Sequence, residues 1–125
     1  MEFFFFFFFC MFFNVVCSHN VPAVFIFGDS TLDAGNNHFN KNCSVQADFP
    51  PYGRDFFGRR PTGRFTNGRT VADFISEFLG IEIQKPYLEV EMEVRNGRRK
   101  SYPTNGINFA SAGSGVLNET NQEME

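Results

Sequence analysis

The chemistry-bearing stretch of this chain is Val24-Phe25-Ile26-Phe27-Gly28-Asp29-Ser30. A short apolar run that breaks off in Gly-Asp-Ser delivers a serine from a buried strand to solvent, which makes Ser30 a candidate nucleophile. A serine hydroxyl is a weak nucleophile near neutral pH and needs a general base, usually an imidazole oriented by a carboxylate. The histidines are His19 and His38. His38 sits in a loop-forming stretch and His19 at the end of an apolar leader, so neither is expected to serve Ser30 as its base.

A second stretch, Gly106-Ile107-Asn108-Phe109-Ala110-Ser111-Ala112-Gly113-Ser114-Gly115, reads as another buried strand running into a turn of small residues. Small side chains let backbone amides approach a ligand closely, as an anion or oxyanion site requires, although a plain tight turn has the same composition. No metal-ligand cluster, phosphate-binding glycine loop or internal repeat is recognisable, and no cofactor or metal is expected.

These stretches need elements that bring two strand ends together. Val21 to Phe27 is too short for a helix and rich in β-branched and aromatic residues, which predicts a buried strand ended by Gly28. From Leu32 to Gly68, Gly, Asn, Asp and Pro are frequent, which predicts a long irregular loop with brief helical turns at most. Its aromatics Phe49, Tyr52, Phe56, Phe57 and Phe65 are expected to pack over a core. Asn67 is placed to cap a helix from about Gly68 to Leu79. In that helix Val71, Phe74, Ile75, Phe78 and Leu79 form a stripe expected to face the core, with Gly80 as the stop. Leu88, Val90, Met92 and Val94 alternate with Glu89, Glu91, Glu93 and Arg95 ahead of Asn96-Gly97, which predicts a hairpin with the glutamates on its solvated side.

The chain has 125 residues and a formal net charge of −3. That length holds one small domain at most. Nine of the 19 Phe fall within the first 17 residues. The apolar run from Phe3 to Val16 is shorter than the roughly 20 residues of a bilayer-spanning helix. It fits a secretory signal peptide over residues 1–18, with Cys17 and Ser18 as cleavage positions, although Glu2 stands where a basic residue is usual. Residues 21–125 then form the mature domain, in which Cys43 is the sole cysteine. An internal disulfide is excluded, the polar loop around Cys43 does not point to burial, and a partner cysteine on further sequence is the expectation.

Basic residues are scattered apart from Arg59-Arg60 and Arg98-Arg99-Lys100, which argues against nucleic-acid binding. Stable membrane insertion is not expected once the leader is removed. Asn42-Cys43-Ser44 and Asn118-Glu119-Thr120 make Asn42 and Asn118 glycosylation candidates, but among 12 Asn such matches also arise by chance.

Phe27-Gly28-Asp29-Ser30, Phe49-Pro50-Pro51-Tyr52-Gly53-Arg54-Asp55-Phe56, Pro61-Thr62-Gly63-Arg64-Phe65-Thr66-Asn67-Gly68-Arg69 and Asn108-Phe109-Ala110-Ser111-Ala112-Gly113 occur in that order. Together they closely resemble the plant GDSL esterase/lipase family of the SGNH hydrolase superfamily, over essentially everything after the leader. The resemblance implies an α/β chain, the truncated N-terminal part of a three-layer α/β/α, flavodoxin-like fold with a parallel sheet. It implies a secreted, extracellular protein that hydrolyses carboxylic ester or lipid substrates without a metal.

By position, the resemblance makes Ser30 the catalytic nucleophile, and the backbone amides of Ser30 and Gly113 donors of an oxyanion hole. Asp29 and Asn36 also fit the family pattern and are expected to shape the turn through side chain to backbone hydrogen bonds. Two further family motifs are absent: a Gly-x-Asn-Asp block supplying a third donor, and an Asp-x-x-His block supplying the triad His and Asp. Gly106-Ile107-Asn108 continues with Phe109, while Val16 and Gly35 stand three residues before His19 and His38. The expectation is a secreted serine esterase represented by its N-terminal part, inactive and poorly stable in isolation. The alternative is a non-catalytic secreted remnant that binds a lipid or a protein partner.

Overall fold

The computed structural model describes residues 20–117 together with Glu119 and Thr120. The leader with its two cysteines, His19 and Asn118 lie outside the described residues.

β1 (Val24–Ile26) and β2 (Gly106–Asn108) pair in parallel, with Val24 opposite Gly106 and Ile26 opposite Asn108. Parallel neighbours require a long crossover. Here it carries α1 (Asn36–Phe39), α2 (Val71–Phe78) and α3 (Tyr87–Arg95). On its other edge β2 meets the approach to α3, where Pro86 bridges to Asn108 and the Asn108 amide donates to Lys85 O at 3.0 Å. The expected parallel α/β character is therefore present as one strand pair with a helical crossover, and the described residues do not build a three-layer sandwich. Ile26, Ala72 and Ala110 form the small core, with Val24 and Leu32 packed against it.

The stretch from Leu32 to Gly68 is irregular apart from α1, as predicted. Two glycines set its path: a Cβ on Gly35 would strike Thr62 O, and one on Gly63 would stand 2.7 Å from both the Gly35 Cα and the His38 Cβ. Arg64 then locks the loop. Its Nε and Nη2 grip the Asp73 carboxylate at 2.8 and 2.9 Å, its Nη1 donates to Ala34 O at 3.0 Å, and its guanidinium lies 4.5 Å from the Phe56 ring centroid. Both partners of this bidentate pair are buried. Not every loop aromatic packs as expected. Phe49 and Phe57 stay exposed, and Phe57 is faced by the Arg69 guanidinium rather than by the core.

α2 departs from its prediction in two ways. Its cap is Thr70, not Asn67: Thr70 Oγ1 accepts from Asp73 N at 3.3 Å while the Asp73 carboxylate accepts from Thr70 N at 2.8 Å, a reciprocal capping box. Asn67 Nδ2 donates instead to Asp55. Its apolar stripe also faces outward, with Val71, Phe74, Ile75 and Phe78 exposed and Phe78 at 88 %. The buried face is Ala72, Asp73 and Ser76. Asp73 must meet Arg64, Ser76 Oγ bonds Ala72 O and Gln84 Oε1, and the small Ala72 fits against Ile26 and Ala110. Periodicity identifies an apolar face of a helix but not the surface that covers it.

The predicted hairpin is the helix α3. Glu, Leu, Met and Arg are good helix formers, and Pro86 at the N-cap costs the helix no hydrogen bond. Over eight residues the alternation of apolar and charged residues also satisfies a helical pattern: Val90 is fully buried while Met92, its same-face neighbour in a strand, is exposed. The glutamates are ion-pair partners. Lys85 Nζ lies 2.8 Å from Glu89 and 2.7 Å from Glu93, Arg99 Nε lies 2.9 Å from Glu93, and Arg95 pairs with Glu91 at 2.7 Å. Hydrogen bonds from Lys85 and then Arg99 hold the Glu93 carboxyl below its ordinary range, while Glu89 and Glu93 push the Lys85 ammonium up.

Candidate active site

The strand ladder continues past β1. The Phe109 amide donates to Ile26 O at 2.7 Å, the Ser111 amide to Gly28 O at 3.0 Å, and Ser114 Oγ to the same Gly28 oxygen at 2.8 Å. Ser30 stands two residues after Gly28, and Gly113 two residues after Ser111. Parallel pairing thus carries the serine turn and the small-residue turn out of the same end of the sheet, where ligands of open α/β sheets bind.

Ser30 is half-buried in a turn closed by Leu32 N and Asp33 N, which both donate to Asp29 O, at 3.2 and 3.1 Å. Neither its amide nor its hydroxyl is engaged in a hydrogen bond among the described residues. Asp29 braces the turn as expected, its Oδ1 accepting from Thr31 N at 3.0 Å and Thr31 Oγ1 at 2.8 Å. Those bonds, the backbone one foremost, hold the Asp29 carboxyl below the usual range and make it a poor proton acceptor. Gly113 has φ 85°, a left-handed conformation that glycine adopts without a Cβ penalty, and Ser114 N closes its turn onto Ser111 O at 3.1 Å.

Beneath both turns lies a buried polar cluster that sequence reasoning missed. The Asp33 carboxylate is fully buried, forms no ion pair among the described residues, and collects four backbone amides: Gly35 at 2.7 Å, Asn36 at 2.6 Å, Asn37 at 3.4 Å and Ala112 at 3.0 Å. Asn108 Nδ2 donates to Leu32 O at 2.8 Å and its Oδ1 accepts from Ala110 N at 2.9 Å. Asn37 Nδ2 donates to Ala112 O at 2.9 Å, and Asn37 Oδ1 accepts from Ser111 Oγ at 2.6 Å.

Asn36, expected to shape its own turn, reaches much farther. Its Nδ2 donates to Asn108 O and Ala110 O, both at 2.8 Å, and its Oδ1 accepts from Leu88 N at 3.1 Å, joining α1, β2 and α3. The available signal was the run Asp33-Ala34-Gly35-Asn36-Asn37, which has no large apolar side chain although it follows a buried strand end. Such a run can enter an interior only by bonding backbone groups.

His38 is not brought to Ser30. It is exposed, its Nδ1 lies 3.8 Å from Asp48 Oδ2, and its ring meets Phe39 edge-on. It lines a cleft of about 500 Å³ with Arg60, Thr62, Lys85 and Glu89, of which Ser30 is no part. Cys43 is half-buried, its Sγ accepting from Asn37 Nδ2 at 3.3 Å and lying 3.6 Å from Val45 O, so the polar loop does turn this thiol inward. Asn42 is exposed. Among the described residues no group of three or more His, Cys, Asp and Glu could hold a metal ion, and no helix is long and apolar enough to cross a membrane.

The family model of the GDSL-like lipase/acylhydrolases matches residues 24–125. The chain is 67 % identical over 107 residues to GDSL esterase/lipase 6 of Arabidopsis thaliana, covering 86 % of this chain and 29 % of that protein. It is 51 % identical over 105 residues to GDSL esterase/lipase 5 of the same plant, covering 83 % of this chain and 25 % of the relative. With the anther-specific proline-rich protein APG of Brassica napus it shares 42 % identity over 106 residues, 84 % of this chain and 23 % of the relative. The chain thus spans less than a third of the length of these relatives. No solved structure gives a significant match. With the match beginning at the first residue of β1 and taking in the serine turn, the Arg64 loop and the Gly113 turn, the chain belongs to the GDSL-like lipase/acylhydrolase family.

Proposed function

We propose that the polypeptide bearing this chain is an exported serine esterase or lipase that cleaves carboxylic esters through an acyl-enzyme at Ser30. The observation that carries this reading is the double anchor on Gly28 O, by which Ser111 N and Ser114 Oγ tie the Gly113 turn to the strand end that presents Ser30. The names of the Arabidopsis relatives, GDSL esterase/lipase, support the substrate class. The apolar leader over residues 1–18 supports export.

In the first step Ser30 Oγ attacks the ester carbonyl carbon while its proton passes to a general base. The resulting alkoxide accepts hydrogen bonds from the amides of Ser30 and Gly113, which are worth most where charge develops and water is excluded. The carbon–oxygen bond to the alcohol then breaks, and the alcohol leaves with the proton. Water, deprotonated by the same base, attacks the acyl-enzyme, releases the carboxylic acid and restores the serine. These steps need no metal or cofactor.

The resemblance assigns the base to the histidine of an Asp-x-x-His block and the third donor to the asparagine of a Gly-x-Asn-Asp block, neither of which occurs in these 125 residues. Loss of one donor costs on the order of 10² to 10³ in rate. Loss of the base costs on the order of 10⁶. The 125-residue chain by itself is accordingly no catalyst.

The test uses the polypeptide of the longest reading frame containing this chain, treated with a fluorophosphonate and digested for mass spectrometry. Adduct on Ser30, absent from Ser30→Ala, with hydrolysis of a chromogenic ester lost in the same variant, is the expected result. A folded protein that is neither labelled nor hydrolytic would sink the esterase reading and leave a non-catalytic exported protein that binds a lipid or a partner.

A further inference from the structure

The Gly113 N–H belongs to the same planar peptide as the Ala112 carbonyl, so whatever fixes one end of that unit aims the other. The carbonyl end is held by Asn37 Nδ2 at 2.9 Å, and the amide on the far side of Ala112 is held by Asp33 Oδ2 at 3.0 Å. Asn37 has little freedom of its own. It is 1 % exposed, its Nδ2 also reaches Val45 O at 3.0 Å, and its Oδ1 accepts from Ser111 Oγ at 2.6 Å.

We infer that Asn37 is a positioning residue for the oxyanion step, an inference that rests on the Ser30 esterase reading. By donating to Ala112 O it turns the Gly113 N–H toward the place where the alkoxide forms. It also polarises that N–H: a hydrogen bond accepted at a carbonyl draws density from its amide nitrogen, and chained bonds of this kind strengthen one another. A donor held in place before the reaction costs no reorganisation when charge develops. The chemistry requires a carboxamide. Its Nδ2 faces two carbonyl oxygens while its Oδ1 faces a hydroxyl, so the carboxylate of an aspartate would set an oxygen against Ala112 O and Val45 O and offer no donor there.

The test again uses the polypeptide of the longest reading frame, with kcat, KM and the thermal midpoint measured on a chromogenic ester for wild type, Asn37→Asp, Ser111→Ala and Ser76→Ala. Ser76 is buried in α2 with bonds to Ala72 and Gln84, so its variant reports the kinetic effect of lost stability alone. Asn37→Asp is expected to lower kcat about 100-fold, the low end of losing one oxyanion donor, with KM within about twofold. Ser76→Ala should keep kcat despite a lower midpoint. A folded Asn37→Asp protein with kcat within about threefold of wild type overturns the role of Asn37 while the esterase reading stands. Should Asn37→Asp fail to fold, Ser111→Ala decides: kcat about tenfold lower at constant KM upholds the role, and unchanged kcat overturns it. Wild type without hydrolysis or labelling overturns the esterase reading itself, and this role with it.

Discussion

Asp33 Oδ2 and the amide of Ala112, 79 residues apart along the chain, meet at 3.0 Å in the interior. Through this contact the loop that follows the serine turn and the turn that carries Gly113 share one buried carboxylate, which also gathers the amides of Gly35, Asn36 and Asn37.

Removing that carboxylate strands four donors. In the polypeptide of the longest reading frame, Asp33→Ala should cost at least about 3 kcal/mol of folding free energy, since each buried unsatisfied group costs about 1–3 kcal/mol. Urea denaturation followed by circular dichroism measures it. A cost under about 1 kcal/mol would mean that water or another group serves those amides.

Arg64 and Asp73 form a buried bidentate pair, and Arg64 also caps Ala34 O. Arg64→Met leaves the Asp73 charge uncompensated and should destabilise by about 3–5 kcal/mol. Adding Asp73→Asn should recover part of that loss, because it removes the orphaned charge while its carbonyl oxygen can still accept from Thr70 N. A double variant no better than the single one would contradict this account.

What could be read from the amino-acid order, and what could not, follows from the range of the forces involved. The two strand ends and their turns were legible because an apolar run stopping at Gly28 or at small residues after Asn108 is a local signal. The 88–95 stretch was misread because two periodicities coincide over eight residues, and only Val90 against Met92 separates them. The apolar stripe of α2 was found but assigned to the wrong side, since its direction depends on Asp73 finding Arg64. Asp33 and Asn37 escaped notice because the bonds that tie them to the second turn, to Ala112 and Ser111, span more than 70 residues, and local composition does not encode such pairings.

The Lys85–Glu93–Arg99 cluster gives stability a defined pH dependence. Glu93 is lowered in the folded state, so its contribution is present above the ordinary glutamate range, about 4.3, and is lost as pH falls through the depressed folded value. Lys85 is raised, so its contribution is full below about 10.4 and is lost as pH rises through the higher folded value. These side chains are partly exposed, and salt screens them. Urea midpoints measured across pH should fall at both ends. Glu93→Gln should flatten the acid shoulder and reduce the alkaline one; an unchanged profile would show that the cluster does not couple to folding.

Phe78 is largely exposed in α2. In the polypeptide of the longest reading frame Phe78→Ser should change stability by less than about 0.5 kcal/mol, as for other surface sites. It should also dim a dye that reports exposed apolar surface. A loss near 3 kcal/mol, the scale of deleting a buried Phe, would show that another surface covers this face.

The leader makes a prediction by mass. Intact-mass analysis of the exported protein should give a mature chain beginning at His19, without the run from Phe3 to Phe9. A product retaining that run would favour an uncleaved anchor.

The Gly28 carbonyl, which receives both Ser111 N and Ser114 Oγ, also sets a clock. Ser114 is made 86 residues after Gly28, which at about 5–20 residues per second is roughly 4–17 s of synthesis. Until the later strand arrives, the Gly28 carbonyl has neither Ser111 N nor Ser114 Oγ to bond, so the surroundings of the Ser30 turn are completed by a distant part of the chain and late in synthesis.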